Sequence, residues 1–213
     1  MKKSLLFLVV PILAISCAKM NSGYTSAPGP SLWPLKAGNS WIYQDSLFTD
    51  TAFTSAYLDT ATITAQTQTD QYGTIYYGIS EYNGWFGTGG YVAVDPYNTT
   101  IYEVDSLNKS PYIFFETAQY DGQFLGSGYD FSDINCTKKL SQYGLVTTTS
   151  INGFNCLKNI EYTVDCNNIT TEAVVTYVSP GVGVVRMEDY MADSSRNNTL
   201  FMDYSQTLRS GTY

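Results

Sequence analysis

The side chains that could carry out chemistry in this chain are four cysteines and 19 carboxylates, because the sequence contains no histidine. Without histidine, Ser-His-Asp and Cys-His nucleophile systems and the common histidine-based zinc sites are excluded. Two carboxylates suffice for glycoside hydrolysis, but the acidic residues are scattered, and many lie beside Ser or Thr in turns. The sequence also lacks a phosphate-binding glycine loop and EF-hand spacing. We therefore expect no catalytic activity, no metal and no cofactor.

Cys17 has the most informative surroundings of the four cysteines. Lys2 and Lys3 precede an apolar run at residues 5–15, which is typical of a secretory signal peptide and too short to span a bilayer. Residues 13–17 (LAISC) resemble the lipobox of bacterial lipoproteins. This resemblance implies that residues 1–16 are removed, and that acylated Cys17 anchors the mature protein in the outer membrane. The alternatives are a secreted protein with an incidental Cys17 and a retained N-terminal membrane anchor.

Residues 17–31 are predicted to form the lipidated N-terminus and a tether. Residues 18–31 are small, polar and rich in Gly and Pro, which favours a flexible segment. A flexible segment of this length spans roughly 20 Å. Loss of the two lysines with the signal peptide changes the net charge from −8 to −10. An acidic surface repels nucleic acid, so we expect no nucleic-acid partner. The sequence leaves open which side of the outer membrane the domain faces.

Residues 32–213 are predicted to form a single β-rich domain. The 19 tyrosines and the period-two alternation of many segments favour strands. Turn residues separate eleven such segments, at residues 41–48, 57–68, 74–82, 91–95, 100–105, 112–117, 145–150, 154–165, 170–178, 184–190 and 199–208. We predict an all-β fold of roughly ten strands, as a curved antiparallel sheet, an open barrel or a sandwich.

One short helix is predicted at residues 132–143, in competition with a further strand. Ser132 and Asp133 suit its N-terminal cap, whereas Lys138, Lys139 and Gly144 suit its C-terminal end.

The three remaining cysteines are expected to form one disulfide and one buried thiol, because the envelope is oxidising. Cys156 and Cys166 lie on the predicted inward face of the strand at 154–165, about 33 Å apart if that strand is continuous, which is too far for a bond. Cys136 is therefore expected to pair with either Cys156 or Cys166. The remaining apolar residues on this inward face are Phe154, Ile160, Tyr162 and Val164.

An aromatic-rich segment is the candidate for ligand binding, and its proposed binding residues are Tyr82, Trp85, Phe86 and Tyr91. Trp85 and Phe86 occupy the centre of a Gly-rich loop, where polar residues are usual. The structural alternative is that these side chains fold back over the sheet as part of the core.

Three stretches together resemble a broad group of Bacteroidetes-type cell-envelope lipoproteins with antiparallel β-sheet domains: residues 33–43 (WPLKAGNSWIY), 152–158 (NGFNCLK) and 177–185 (YVSPGVGVV). Such domains look similar to the curved sheets of lipoprotein carriers, whose concave face can hold acyl chains. Four Asp-Ser/Thr-apolar stretches also resemble the O-glycosylation acceptor of exported Bacteroidetes proteins. Their candidate acceptors are Ser46, Thr51, Thr60 and Ser106.

Three functions are consistent with these observations. The first is a non-enzymatic, lipid-anchored envelope protein that binds a glycan or a protein, or that has a structural role. The second is a carrier or sensor of a lipid or other apolar ligand, which requires a cavity of a few hundred Å³. The third is a hydrolase, which requires two carboxylates about 5–9.5 Å apart in a cleft.

Substitution of Cys17 tests the anchor. Cells that express the chain and receive radioactive palmitate are expected to label the normal protein and not a Cys17→Ser variant, because the thiol is the attachment point. Membrane fractionation should also release the variant. Equal labelling of both proteins would contradict the lipobox interpretation.

Overall fold

The computed structural model describes residues 30–49, 52–70, 74–80, 88–104, 111–130 and 136–213. These residues form twelve β-strands, with the bounds β1 Ser40–Thr49, β2 Ala52–Thr69, β3 Ile75–Ser80, β4 Thr88–Val94, β5 Thr100–Val104, β6 Tyr112–Glu116, β7 Gln123–Asp130, β8 Lys138–Ile151, β9 Phe154–Val164, β10 Thr170–Ser179, β11 Gly183–Asp193 and β12 Thr199–Thr212. One 3-10 helix, Ser194–Arg196, precedes β12. None of the described residues forms a helix long and apolar enough to cross a membrane.

The strands form one antiparallel sheet in the order β6-β5-β4-β3-β2-β1-β12-β11-β10-β9-β8-β7. Each neighbouring pair is consecutive in sequence except β1 and β12, which join the two ends of the domain. The edge strands are β6 and β7, and the sheet curves until it is nearly closed between them. Side chains cross that gap, since Gln142 Nε2 on β8 donates to the Phe114 carbonyl on β6 at 3.3 Å. We call this gap the seam.

The structure confirms the predicted all-β class and the curved antiparallel architecture. Two details differ from the sequence-based expectation. The helix predicted at residues 132–143 is wrong for its described C-terminal part, because β8 begins at Lys138 and pairs along its length with β9. A further strand, β7, was not predicted, and it pairs with the N-terminal half of β8. Long-range pairing on both sides therefore outweighs the local capping signals.

One end of the domain is built around three aromatic side chains that are fully buried: Trp33, Trp41 and Tyr43. Trp41 Nε1 donates to the Val182 carbonyl at 2.7 Å, and the Tyr43 hydroxyl donates to the Val184 carbonyl at 2.9 Å. These bonds attach β1 to the turn between β10 and β11. Cys156 at the start of β9 belongs to the same hydrophobic cluster. All three lipoprotein-like stretches of the sequence therefore meet in this part of the core.

The hairpin turns follow from local sequence signals. Asn152 and Gly153 both have positive φ, 51° and 86°, as a tight hairpin between β8 and β9 requires. Two other turns share an aspartate that accepts backbone N–H bonds and an asparagine three residues later with positive φ. Asp95 and Asn98 form the turn between β4 and β5, and Asp165 and Asn168 form the turn between β9 and β10.

Gly183 and Gly153 offer a matched pair of substitutions. A Cβ on Gly183 would lie 2.1 Å from the Trp33 ring, and φ there is +101°, whereas a Cβ on Gly153 would meet nothing within 4 Å. Gly153→Ala is expected to lower the free energy of unfolding by about 1 kcal/mol through backbone strain alone. Gly183→Ala should lower it by about 3 kcal/mol or more, because the overlap adds to that strain. Urea unfolding measures both, and equal losses would contradict the packing role of Gly183.

Candidate functional site

The interior of the curved sheet is crossed by a row of directly paired residues, most of them polar. Cross-strand partners share a face of the sheet, and the row runs through Asn159, Thr176, Met187, Gln206 and Asp45. All five are at least 95% buried. The interior is therefore apolar around the aromatic cluster and polar further along the strands.

This polar row corrects the predicted orientation of β9. Cys156 is buried as expected, but the next buried residues of the strand are Asn159 and Thr163, while Ile160 and Tyr162 are partly exposed. The neighbouring strand β8 shifts its register between Leu145 and Thr149, opposite this part of β9. A register irregularity changes which residues face inwards, so simple alternation from Cys156 selects the wrong face.

A cavity of about 190 Å³ lies inside the seam, between β6 and the polar rows of β8 to β11. Its polar lining residues are Glu103, Tyr112, Gln142, Asn159, Glu161 and Thr176, and its apolar ones are Phe114, Val174 and Met187. A second cavity of about 180 Å³ adjoins it towards β7 and shares Tyr112, Gln142 and Glu161. We call the two together the seam cavity.

Three polar side chains define the chemistry of the seam cavity. The Tyr112 hydroxyl on β6 donates to Glu161 Oε2 on β9. Burial raises the pKa of Glu161, the bond from Tyr112 opposes that shift, and the charge of Glu172 adds to it. Asn159 is only 3% exposed, and its Nδ2 group has no hydrogen-bond partner. An unsatisfied buried amide is costly, which points to an occupant that accepts a hydrogen bond.

Two further acids lie in the same interior rows. Asp45 accepts a hydrogen bond from the Tyr204 hydroxyl at 2.8 Å, and burial raises its pKa despite that bond. Burial, together with the charges of Glu172 and Asp203, raises the pKa of Asp189 to about 6. Among the described residues, no group of three or more Cys, Asp or Glu side chains is placed to hold a metal ion.

A larger, open groove of about 940 Å³ lies at the end of the domain where the chain enters β1. We call it the end groove. Its aromatic and aliphatic lining comes from Trp33, Leu35, Ile75, Tyr77, Val94 and Tyr213. The segment that forms one wall is held by Asn39 Nδ2, which donates to the Pro34 carbonyl at 2.7 Å. Ile75 and Tyr213 are 46% and 47% exposed, so the groove presents apolar surface to solvent.

Of the four predicted ligand-binding residues, the structure describes Tyr91, which lines neither the seam cavity nor the end groove. Tyr82, Trp85 and Phe86 lie outside the described residues, as does Cys17. Tyr91 packs against a small cluster of Tyr76, Ala93 and Val104, with Tyr102 beside it. It lies next to Val92 in β4, and Val92 belongs to the main core, so Tyr91 faces the opposite side of the sheet.

The candidate glycosylation acceptors differ in their access to solvent. Ser46 is 8% exposed, so its hydroxyl is not presented to an enzyme by the folded domain. Thr60 is exposed on β2 and remains the accessible candidate. Thr51 and Ser106 lie outside the described residues.

The sequence interpretation missed the residues of the seam cavity. Asn159, Glu161 and Thr163 alternate with apolar residues along β9, a pattern that predicts a solvent-facing polar row. A usable signal was the similar polar pattern at Thr176 and Gln206 on strands that pair in the same sheet. Only the register brings these residues into one row.

The structure shows which disulfide forms, which the sequence left open. Cys136, just before β8, is bonded to Cys166 in the turn after β9, with 5.4 Å between the two Cα atoms. Cys156 is a buried free thiol, and burial raises its pKa to about 11.

Comparisons with known proteins identify the fold. No family model and no curated protein match the chain. A crystal structure of a protein from Bacteroides fragilis, described as exported and as having a YmcC-like fold, matches with a TM-score of 0.50 and 11% identity, covering 86% of this chain and 100% of that one. A protein from Parabacteroides distasonis described as a lipoprotein matches with a TM-score of 0.48 and 14% identity, over 86% of this chain and 99% of that one.

The chain is thus similar to Bacteroidetes proteins built on an antiparallel sheet. At 11% identity the likeness to the Bacteroides protein shows a shared fold, which is the YmcC-like fold.

Thiol titration tests the state of the cysteines. The lipidated protein is expected to show no thiol reactive with Ellman's reagent when folded and one after denaturation, because Cys156 is buried and protonated near neutral pH. Peptide mapping without reduction should recover Cys136 linked to Cys166. A reactive thiol in the folded protein would contradict this arrangement.

Proposed function

We propose that this protein is a lipid-anchored, non-catalytic binding protein of the cell envelope, held in the outer membrane by Cys17. The observation that carries the proposal is the end groove. Its volume of about 940 Å³ falls within the range of small-molecule sites, which is about 300–1,000 Å³. Its predominantly aromatic and aliphatic lining with a few polar groups is also characteristic of such sites.

Export and anchoring are supported by the sequence and by the fold. Residues 1–17 have the order of a lipoprotein signal, and the structural neighbour from Bacteroides fragilis is described as exported. The lining of the end groove begins at Ser31, so the tether predicted from the composition of residues 18–31 would join the groove to the acylated cysteine.

The composition of the groove favours binding over catalysis. Its titratable lining residues, among those the structure describes, are Lys36, Tyr77 and Tyr213. General acid–base hydrolysis of the kind considered from the sequence needs two Asp or Glu side chains, and the described lining of the groove contains neither residue type. The end groove can therefore hold a molecule without an evident means of cleaving it.

The lining also favours the apolar-ligand alternative and suggests a charge for the ligand. Lys36 is the one cationic side chain in the described lining of the end groove, within a mature chain of net charge −10. An anionic amphiphile, such as a fatty acid, would place its carboxylate near Lys36 and its chain against Leu35, Ile75 and Val94. The proposed role is therefore a carrier or sensor of such molecules near the membrane.

Photo-crosslinking tests the groove with the lipidated chain reconstituted in nanodiscs. A diazirine-bearing palmitate is expected to label peptides that contain residues 31–39 and 212–213. Ile75→Glu should reduce that labelling at least tenfold, because it places a carboxylate among the apolar lining.

Leu58→Glu provides the control. Leu58 is 68% exposed on the neighbouring strand β2 and does not line the groove, so labelling should be unchanged. Equal labelling of the Ile75→Glu variant, or label located elsewhere in the domain, would contradict the proposal.

A further inference from the structure

We infer that the seam cavity is a second binding site, and that it takes a small neutral polyol, with the chemistry of a monosaccharide ring. This inference does not depend on the end groove, with which the seam cavity shares no lining residue. It rests on a buried, unpartnered amide beside a partly buried carboxylate.

The fold leaves this space open because the sheet ends there. β6 and β7 are the two edges of the sheet. No ladder of backbone hydrogen bonds therefore joins these two strands across the seam. The two adjoining parts, about 190 and 180 Å³, together reach the lower end of the range of small-molecule sites. Gly126 and Gly128 on β7 line the outer part, and they take up none of its volume with side chains.

The polar groups of the cavity favour an occupant that both donates and accepts hydrogen bonds. Asn159 Nδ2 is a donor without a partner in a side chain that is 97% buried, so the occupant must accept. The partly buried Glu161 carboxylate is an acceptor with room for several donors, of which the Tyr112 hydroxyl supplies one, so an occupant that also donates is favoured. A hydroxyl group does both.

Other classes of small ligand fit these groups less well. An ammonium ion would pair with Glu161 but has no acceptor for Asn159 Nδ2. An anion would accept from Asn159 but would lie against Glu161 and Glu103, with the desolvation cost that a buried uncompensated charge carries. Water satisfies single polar groups but leaves the apolar wall of Phe114, Val174 and Met187 against solvent. The C–H face of a sugar-like ring packs on such a wall while its hydroxyls meet the polar side.

The raised pKa of Glu161 agrees with this assignment. Burial shifts that carboxyl towards its neutral form, which also both donates and accepts. A neutral ligand therefore suits the site in either protonation state.

Isothermal titration calorimetry of the lipidated chain in nanodiscs tests the inference. D-glucose and myo-inositol serve as neutral polyols, ethylammonium as the cation and acetate as the anion. At least one polyol is expected to bind, and neither ion is expected to do so.

Two substitutions of the same chemical kind locate the site. Asn159→Asp replaces the unpartnered donor with an acceptor and should weaken polyol binding at least tenfold. Asn155→Asp makes the same change on the same strand at an exposed position and should leave binding unchanged. Gly126→Val narrows the outer part of the cavity, where a Cβ would meet no atom within 4 Å, and should also weaken binding. Circular dichroism verifies that each variant is folded.

A crystal of the unsubstituted protein soaked in the bound polyol provides a measurement that needs no variant. Electron density for the polyol beside Asn159 would support the inference. Ordered water only, binding of ethylammonium or acetate in place of the polyols, or equal binding by the Asn159→Asp and Asn155→Asp variants would each overturn it.

Discussion

The architecture depends on the attachment of the first strand to the turn that begins β11. Trp41 and Tyr43 donate to the backbone carbonyls of Val182 and Val184, and the Trp33 ring lies against Gly183 so closely that no side chain fits there. Buried aromatic side chains with satisfied polar tips combine large apolar contact with a fixed orientation. This arrangement holds the chain entry in place, and one wall of the end groove is made by the residues that follow Trp33.

The interior has two chemical environments, and they suit different ligands. Around the aromatic cluster the core is apolar, and the end groove lies at the solvent-facing side of this cluster. Further along the strands, Asn159 and Asp45 lie buried in paired rows, and Glu161 and Asp189 lie partly buried beside them. Burying such groups costs free energy unless they are satisfied, so a structure that only needed stability would favour apolar residues there. A polar interior beside an open seam is instead consistent with a site that is completed by its ligand.

Much of the fold could be predicted from the sequence, because its signals are local. Asn152-Gly153 and the Asp-to-Asn turns mark where strands end, and alternation marks the strands between them. The helix prediction failed at Lys138 because pairing with β7 and β9 is not visible in the local sequence. The predicted orientation of Asn159 is wrong for a related reason. Polar residues that face inwards alternate with the same period as polar residues that face solvent. The end groove and the seam cavity combine residues from distant strands, so they follow only from register and curvature.

The strand order has a consequence for folding. Apart from β1 with β12, every pair in the sheet joins strands that are consecutive in the chain, so these hairpins can form from local segments. β1 pairs with its second neighbour only when β12, which follows every other strand in the chain, is in place. Until then β1 presents an unpaired edge, where pairing with other chains competes. The sheet is therefore complete only after this one long-range pairing has formed, and the time before it forms is when the chain is most exposed to misassembly.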